Sequence, residues 1–180
     1  MDEAITRWIN AAAGQNAVLD AIVIGIAVAG VPLMVLAVVA LWWSRHKRMH
    51  LRQVAIEAGL STLGGLAVNQ IILLFVHRPR PYDAGVSHLV VAPSADWSFP
   101  SDHATVAFAI AATFALSNER NRAVWFLIAA VLVSLSRVFI GTHYVSDIFG
   151  GAMIGIGVAL VVSTLYPSGN RFDRWLTSLL

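Results

Sequence analysis

Long apolar runs limit this chain to folds that a lipid bilayer can accommodate. The run from Ala17 to Trp43 contains one acidic residue, Asp20, and no basic residue. A helix needs about 20 residues to cross the hydrocarbon core, so this run is long enough to span it. Only 12% of the residues are charged, whereas a soluble domain contains about 25%. The chain is therefore predicted to be an integral membrane protein.

Five apolar runs are predicted to span the membrane as helices, because open strands would leave backbone hydrogen-bonding groups unsatisfied in lipid. Their approximate limits are residues 17–43, 53–76, 104–117, 122–140 and 145–166. No linker rich in Pro or Ser interrupts the chain, so residues 1–180 are predicted to form a single membrane-embedded domain. The predicted fold class is all-α, an integral membrane helical bundle.

The first residues are predicted to form a short interfacial helix. A cleavable signal peptide is not expected, because Asp2 and Glu3 replace its basic start and the apolar run that follows is too long. Apolar side chains of residues 5–12 instead fall on one helical face, which would lie against the membrane surface. These side chains are Ile5, Trp8, Ile9 and Ala12.

Basic residues predict which side of the membrane each loop faces, because cytoplasmic loops are rich in Lys and Arg. With five spans, the loops after the first and third spans and the C-terminal tail share one side. They contain Arg45, Lys47, Arg48, Arg52, Arg120, Arg122, Arg171 and Arg174. That side is predicted to be the cytoplasm. The remaining basic residues, predicted to be extracytoplasmic, are Arg7, Arg78, Arg80 and Arg137.

Polar residues gather in three clusters at the predicted extracytoplasmic ends of the spans. Residues 78–82, after the second span, read Arg-Pro-Arg-Pro-Tyr, and residues 99–103, before the third, read Phe-Pro-Ser-Asp-His. Residues 136–147, between the fourth and fifth spans, follow the pattern Ser-Arg-x5-His-x3-Asp. A helical bundle can bring these span ends together, so the clusters are predicted to form one extracytoplasmic site.

The residue types in these clusters fit phosphoryl transfer. His143 and Asp147 share a face if a helix begins there, and a carboxylate on one imidazole nitrogen leaves the other nitrogen free to act as a nucleophile. Arg80 and Arg137 are permanently charged forks that suit phosphoryl oxygens. His103 is predicted to protonate the departing oxygen and later to activate water.

The start of the third span is predicted to bind phosphate through its backbone. Ser101 is a favourable N-cap, which leaves the N–H groups of Asp102 and His103 at a positive helix terminus. The carboxylate of Asp102 would be repelled by phosphate, so it is expected to point away from it, where the helix N-terminus still favours a negative charge.

Other kinds of site are not predicted. The spacing of His103, His143 and Asp147 permits a metal site, but the arginines would repel a cation and supply its charge, so no metal or cofactor is expected. The net charge of +2 is spread over the loops, unlike a nucleic-acid-binding surface. Glycines in the last span are interpreted as close helix packing, since no strand precedes them as in a phosphate loop. They are Gly150, Gly151, Gly155 and Gly157.

The three clusters resemble the signature motifs of the type 2 phosphatidic acid phosphatase superfamily, which also includes vanadium haloperoxidases. The family pattern is Lys-x6-Arg-Pro, then Pro-Ser-Gly-His, then Ser-Arg-x5-His-x3-Asp. The third motif matches in full, and the resemblance covers roughly residues 69–151. It implies that His143 becomes a phosphohistidine, that His103 is the general acid, and that the phosphate is held by Arg80, Ser101 and Arg137.

The chain departs from the family pattern at two positions. Asp102 stands where the family has Gly, and Leu73 stands seven residues before Arg80, where the family has Lys. Arg80 aligns with the family arginine because Pro81 and an aromatic residue, Tyr82, follow it. Arg78 is then predicted to supply the missing positive charge to the phosphate.

The Arg-x-Arg-Pro-aromatic segment with Pro-Ser-Asp-His is similar to the undecaprenyl-diphosphatase branch of the superfamily. It implies a metal-independent hydrolase of the cell (inner) membrane that converts undecaprenyl diphosphate to undecaprenyl phosphate. Its partners would be this lipid substrate and membrane lipids, with no nucleic acid. Alternative substrates are phosphatidylglycerol phosphate, phosphatidate and a lipid A phosphate.

A function of another class is a catalytically silent lipid-binding or transport protein that kept the phosphate pocket. Binding alone needs only the arginines, so the nucleophile, the acid and the orienting carboxylate argue against silence. A soluble haloperoxidase is excluded by the apolar runs.

Overall fold

The computed structural model of the protein describes residues 1–45 and 47–166. This part of the chain forms six α-helices and one short 3₁₀ turn, Leu41–Trp43, and contains no strand. The helices are α1 (Asp2–Asn10), α2 (Ala17–Ala40), α3 (Arg48–Leu73), α4 (Asp102–Leu116), α5 (Arg120–Phe139) and α6 (Val145–Leu165). The prediction of an all-α membrane bundle is confirmed.

Four of these helices are long and apolar enough to cross a membrane, namely α2 with its terminal turn, α3, α5 and α6. The fifth apolar helix, α4, has 15 residues and is therefore about 22 Å long at 1.5 Å per residue. A hydrocarbon core is about 30 Å thick, so α4 is short for a span. The apolar helices agree in number and order with the prediction of about five spans.

Helix α4 lies at the centre of the bundle, in contact with α3, α5 and α6. It is rich in alanine, and small side chains such as Ala104, Ala107 and Ala109 are completely buried. Its larger side chains fill the core, where Phe114 packs against Phe126 of α5 with ring centroids 4.6 Å apart. Small residues allow this close approach of helices in a membrane, where packing rather than water exclusion holds helices together.

Glycines bring α6 against the start of α4. A Cβ atom on Gly151 would lie 2.5 Å from the carbonyl oxygen of Ser101, and one on Gly155 would lie 2.3 Å from that of Thr105. Gly150 meets the ring of Phe99 in the same way. The prediction of close helix packing is confirmed for Gly151 and Gly155, whereas Gly150 packs against the segment that precedes α4. The prediction is wrong for Gly157, which has open space around it.

Helix α3 begins at Arg48 rather than at residue 53 as predicted. Within the added turn, Arg52 is buried, donates to the carbonyl oxygen of Trp42 at 3.0 Å, and has its guanidinium 4.8 Å from the centroid of the Trp42 ring. An arginine does not fit an apolar span, so the sequence pattern predicts a loop at Arg52 and gives no sign that its side chain is buried. Helix α3 also ends at Leu73, before the predicted limit of 76.

Helix α1 turns its polar face towards the protein and its apolar face outwards. Thr6 and Asn10 are buried, whereas the exposed fractions are 44% for Ile5 and 76% for Trp8. This exposure of large apolar side chains supports the interpretation of α1 as a helix at the membrane surface.

The end of the bundle opposite to α1 contains a cluster of charges around Glu119. This buried carboxylate pairs with Lys47 of the α2–α3 loop at 3.2 Å and with Arg122 at the start of α5. These two predicted cytoplasmic loops therefore lie at the same end. Arg171 and Arg174, predicted to share that side, lie outside the described residues.

Replacing Gly155 with alanine is expected to lower the melting temperature of the protein in detergent. The added Cβ meets main-chain atoms of α4, which cannot swing aside, and overpacking of this kind costs about 1–3 kcal/mol. Gly157→Ala, in the same helix, adds a Cβ in open space and should match or exceed the wild-type melting temperature, because alanine is the better helix former. Equal melting temperatures for the two variants would contradict this close approach of α6 to α4.

Candidate active site

A cavity of about 110 Å³ lies where α3 and α5 end and α4 begins. All three predicted clusters contribute to its wall, through Arg80, His103, Arg137 and His143. The remaining wall residues are Leu73, Ser94, Asp96, Trp97, Pro100 and Asp102. A larger groove between α2 and α5 is lined by apolar side chains apart from Arg122, so it contains no acid–base pair.

The turn after α5 explains the spacing of five residues between Arg137 and His143. Gly141 has a φ of +86°, a left-handed conformation that favours glycine. The N–H of Gly141 donates to the carbonyl of Val138, and that of Thr142 donates to the carbonyl of Arg137, both at 3.1 Å. This pair of bonds is the Schellman ending of a helix. It reverses the chain, so that Arg137 and His143 line the same cavity.

His143 is buried, with only 3% of its surface exposed. Its Nδ1 lies 2.9 Å from the carbonyl oxygen of Ser98. Since a carbonyl can only accept, Nδ1 is assigned the hydrogen and Nε2 is unprotonated. Nε2 lies 3.4 Å from Nη1 of Arg80. Burial lowers the pKa of His143, and the opposing effect of Asp147 does not cancel this shift, so the neutral nucleophilic form is favoured.

Asp147 is completely buried at the start of α6. Its Oδ2 lies 3.6 Å from Nδ1 of His143, which is within ion-pair range but longer than a hydrogen bond. The same Oδ2 accepts bonds from the Ser98 hydroxyl and from the Tyr144 backbone N–H. The structure therefore brings the predicted pair together, but Ser98 lies between the carboxylate and the imidazole as a hydrogen-bonding bridge.

Arg80 is held rigidly on the cavity wall. Its Nε donates to the carbonyl of Asp96 at 3.0 Å, its Nη2 to the Asp96 carboxylate at 2.7 Å, and its Nη1 to the carbonyl of Thr142 at 2.8 Å. Arg137 differs, because its buried Nε has no hydrogen-bond partner among the described residues. The guanidinium groups of Arg80 and Arg137 thus line one cavity. The Nε of Arg137 is a donor without a partner there, which suits the binding of an anion.

The start of α4 offers further donors. Ser101 is the N-cap residue, as predicted, but its buried hydroxyl makes no capping bond and has no partner in the part of the chain described. The N–H groups of the first helical turn have no intrahelical acceptor. His103, in the same turn, is half-buried on the cavity wall. Asp102 is among the residues that line the cavity, and Asn69 of α3 donates to its carboxylate at 2.6 Å.

Ser101 and Asp147 are predicted site residues that do not line the cavity, and Arg78 is a third. Its Nη1 donates to Asp147 Oδ1 and to the Ser146 hydroxyl, each at 2.6 Å, and its Nη2 donates to Asp2 at 2.7 Å. Its guanidinium also lies 3.8 Å from the centroid of the Tyr144 ring. The structure does not bring Arg78 together with Arg80 and Arg137.

Sequence reasoning missed Asp96 and Ser98, both in the segment between α3 and α4. Asp96 pairs with Arg80 on the cavity wall. Burial raises the pKa of this carboxyl, but hydrogen bonds from Ser94 and Arg80 outweigh it and lower the pKa below its usual range. Only the position of Asp96 just before the second cluster could have indicated it. Ser98 acts largely through its backbone carbonyl, which no residue pattern identifies.

Among the described residues, no group of three His, Cys, Asp or Glu could hold a metal ion.

The chain is similar in sequence to known undecaprenyl-diphosphatases. The chain is 32% identical over 157 residues to the undecaprenyl-diphosphatase BcrC of Bacillus subtilis, covering 87% of this chain and 79% of BcrC. It is 29% identical over 149 residues to the putative undecaprenyl-diphosphatase YbjG of Escherichia coli, covering 82% and 73% of the two chains.

A solved structure has the same fold. It is a transmembrane PAP2 type phosphatidylglycerolphosphate phosphatase from Bacillus subtilis, with a TM-score of 0.67 and 25% identity, covering 95% of this chain and 87% of the other. The family model of the PAP2 superfamily matches residues 54–171. The chain therefore belongs to the PAP2 superfamily and is a multi-pass membrane phosphatase of that superfamily.

Proposed function

We propose that this membrane lipid phosphatase hydrolyses undecaprenyl diphosphate to undecaprenyl phosphate through a phosphohistidine on His143. The observation that supports this mechanism best is a buried histidine whose Nδ1 lies 2.9 Å from a carbonyl oxygen and whose Nε2 lies 3.4 Å from Arg80, at a cavity also lined by Arg137 and His103. The two similar undecaprenyl-diphosphatases support the substrate. Residues 1–180 act as one domain.

In the first step, the terminal phosphoryl group binds between Arg80 and Arg137, with the Ser101 hydroxyl and the first-turn N–H groups of α4 as further donors. Nε2 of His143 attacks phosphorus in line with the bridging oxygen. The bond from phosphorus to that oxygen breaks, and His103 donates a proton to the oxygen as undecaprenyl phosphate departs. Fixed positive charges stabilise the charge on the equatorial oxygens.

In the second step, a water molecule takes the place of the departed lipid phosphate. His103, now neutral, accepts a proton from this water as its oxygen attacks phosphorus. The bond from phosphorus to Nε2 breaks, inorganic phosphate leaves, and His143 is regenerated. No metal ion enters either step, because the arginines supply the positive charge.

The cavity fits a head group rather than a whole lipid. Its volume of about 110 Å³ leaves no room for a long chain, and its apolar wall consists of Leu73, Trp97 and Pro100. The lipid chain therefore stays in the membrane outside the cavity. Phosphatidylglycerol phosphate is the second candidate substrate, because the structural relative is a phosphatidylglycerolphosphate phosphatase.

The active site faces the extracytoplasmic side of the cell (inner) membrane. The support is the positive-inside rule, since the loops with Lys47 and Arg122 meet at Glu119 at the end of the bundle away from the cavity.

His103→Asn is expected to lower kcat by a factor of about 10²–10⁴, the usual contribution of a general acid and base. Since hydrolysis of the intermediate also needs His103, radioactive phosphate from substrate should remain on the protein after an alkaline denaturing quench. His143→Asn should bind no label and show no turnover. His50→Asn, at the opposite end of the bundle, is the matched control and should behave as wild type. Label on His143→Asn, or loss of wild-type activity on adding a chelator, would contradict the mechanism.

Undecaprenyl diphosphate is expected to give a kcat/KM at least about tenfold above that of phosphatidylglycerol phosphate, a ratio within reach of differential transition-state binding. Both lipids should be assayed in the same mixed micelles by release of inorganic phosphate. The reverse order would assign the enzyme to the second candidate substrate.

Single cysteines provide a test of orientation, because the chain contains none. Ala92 is exposed in the α3–α4 segment, and Ser117 follows α4 at the opposite end. In intact cells, a membrane-impermeant maleimide should label Ala92→Cys and should label Ser117→Cys only after permeabilisation. Labelling in the opposite order would place the active site in the cytoplasm.

A further inference from the structure

Arg78 bridges two carboxylates that belong to different helices. One fork nitrogen donates to Asp147 of α6 at 2.6 Å, and the other donates to Asp2 of α1 at 2.7 Å. Burial opposes the charge on Arg78, but its hydrogen bond to Asp2 and the negative charge of Asp147 raise the pKa of Arg78 above its usual value. Both terminal nitrogens of this guanidinium are hydrogen-bonded to a carboxylate, so its charge is directed at Asp2 and Asp147.

Asp147 needs this neutralisation because none of its surface is exposed. A carboxylate removed from water is costly unless it is paired and hydrogen-bonded. Arg78 satisfies Oδ1, whereas Oδ2 accepts from Ser98 and from the Tyr144 N–H. Both oxygen atoms of the Asp147 carboxylate are therefore held by hydrogen bonds.

Asp2 connects this arrangement to helix α1. Its Oδ1 accepts from the Ser146 N–H at 3.0 Å, and its Oδ2 accepts from the Ser146 hydroxyl at 2.6 Å as well as from Arg78. One turn along α1, the hydroxyl of Thr6 accepts from the Val145 N–H at 3.2 Å. Helix α1 therefore supplies acceptors to free N–H groups at the start of α6, directly beside Asp147.

Ser98 joins the same network to the nucleophile. Its N–H donates to the carbonyl of Arg78 at 2.9 Å, its hydroxyl donates to Asp147, and its carbonyl accepts from Nδ1 of His143 at 2.9 Å. The direction of the imidazole, and hence of Nε2, depends on where Ser98 is held.

We infer that Asp2 and Arg78 are positioning residues of this phosphatase, which act on His143 through Asp147 and Ser98 and do not contact the phosphate. This assignment rests on the proposed role of His143 as the nucleophile. Without Arg78, the Asp147 carboxylate loses its counter-charge and turns, and Ser98 moves with it. A nucleophile misplaced by about 1 Å loses rate by a factor of about 10².

The test compares Arg78→Gln with Arg80→Gln in the purified full-length enzyme. Arg78→Gln should lower kcat by about 10–100-fold, as loss of an orienting partner does, with KM and the inhibition constant of inorganic phosphate unchanged. Arg80→Gln should raise both of these constants as well as lower kcat. Asp2→Asn keeps the capping oxygen and removes the charge, so its kcat should fall less, again at constant KM.

Two further variants complete the comparison. Arg7→Gln, also in α1, removes an arginine that contacts only the backbone carbonyl of Gly85 among the described residues and should leave kcat unchanged. Arg78→Lys retains the charge and should recover part of the lost kcat.

Melting temperatures separate positioning from folding. A lower melting temperature for Arg78→Gln, with wild-type kcat for the folded enzyme, would overturn the inference, and so would an inhibition constant of phosphate raised as in Arg80→Gln. An enzyme that hydrolyses phosphatidylglycerol phosphate and not undecaprenyl diphosphate would contradict the proposed substrate alone, since the same comparison can be made with the other lipid.

Discussion

The carboxylate of Asp147 is fully buried at the start of α6, where an ionised group is tolerated only with donors around it. Those donors come from different parts of the chain, namely Arg78 after α3, Ser98 before α4 and Tyr144 before α6. The hydrogen bonds to the Asp147 carboxylate therefore connect the ends of three helices. The three motif clusters meet in one cavity because these helix ends are joined.

The two arginines of the first cluster differ in environment although one proline separates them. Arg80 faces the cavity with its donors fixed by Asp96 and by a backbone carbonyl, whereas Arg78 faces away, between Asp2 and Asp147. A charge that is already oriented needs no reorganisation when a phosphoryl group binds, which is the main electrostatic advantage of an enzyme site over water. Asp96 restrains Arg80 but places a negative charge on the wall of the same cavity.

The sequence was sufficient for the order of the apolar helices and for half of the residues on the cavity wall. Apolar length and the spacing of the third motif are local properties, and they predicted the helices and the convergence of His103, Arg137 and His143. The role of Arg78 was not predictable, because residue type and motif position are the same for a phosphate ligand and for a partner of a buried carboxylate. Burial of Arg52 against Trp42 was likewise hidden, since it depends on a contact between two helices.

The segment between α3 and α4 has no helix or strand, yet it must hold Ser98 against His143. Asn10 of α1 fixes it, because its amide donates to the carbonyls of His88 and Phe139 and accepts from the His88 N–H at 2.7 Å. Helix α1 thus contacts this segment, the end of α5 and the start of α6 together. Because the large apolar side chains Ile5 and Trp8 of α1 stay exposed, as in a helix that lies on a membrane surface, α1 links a surface-type helix directly to the segment that holds His143.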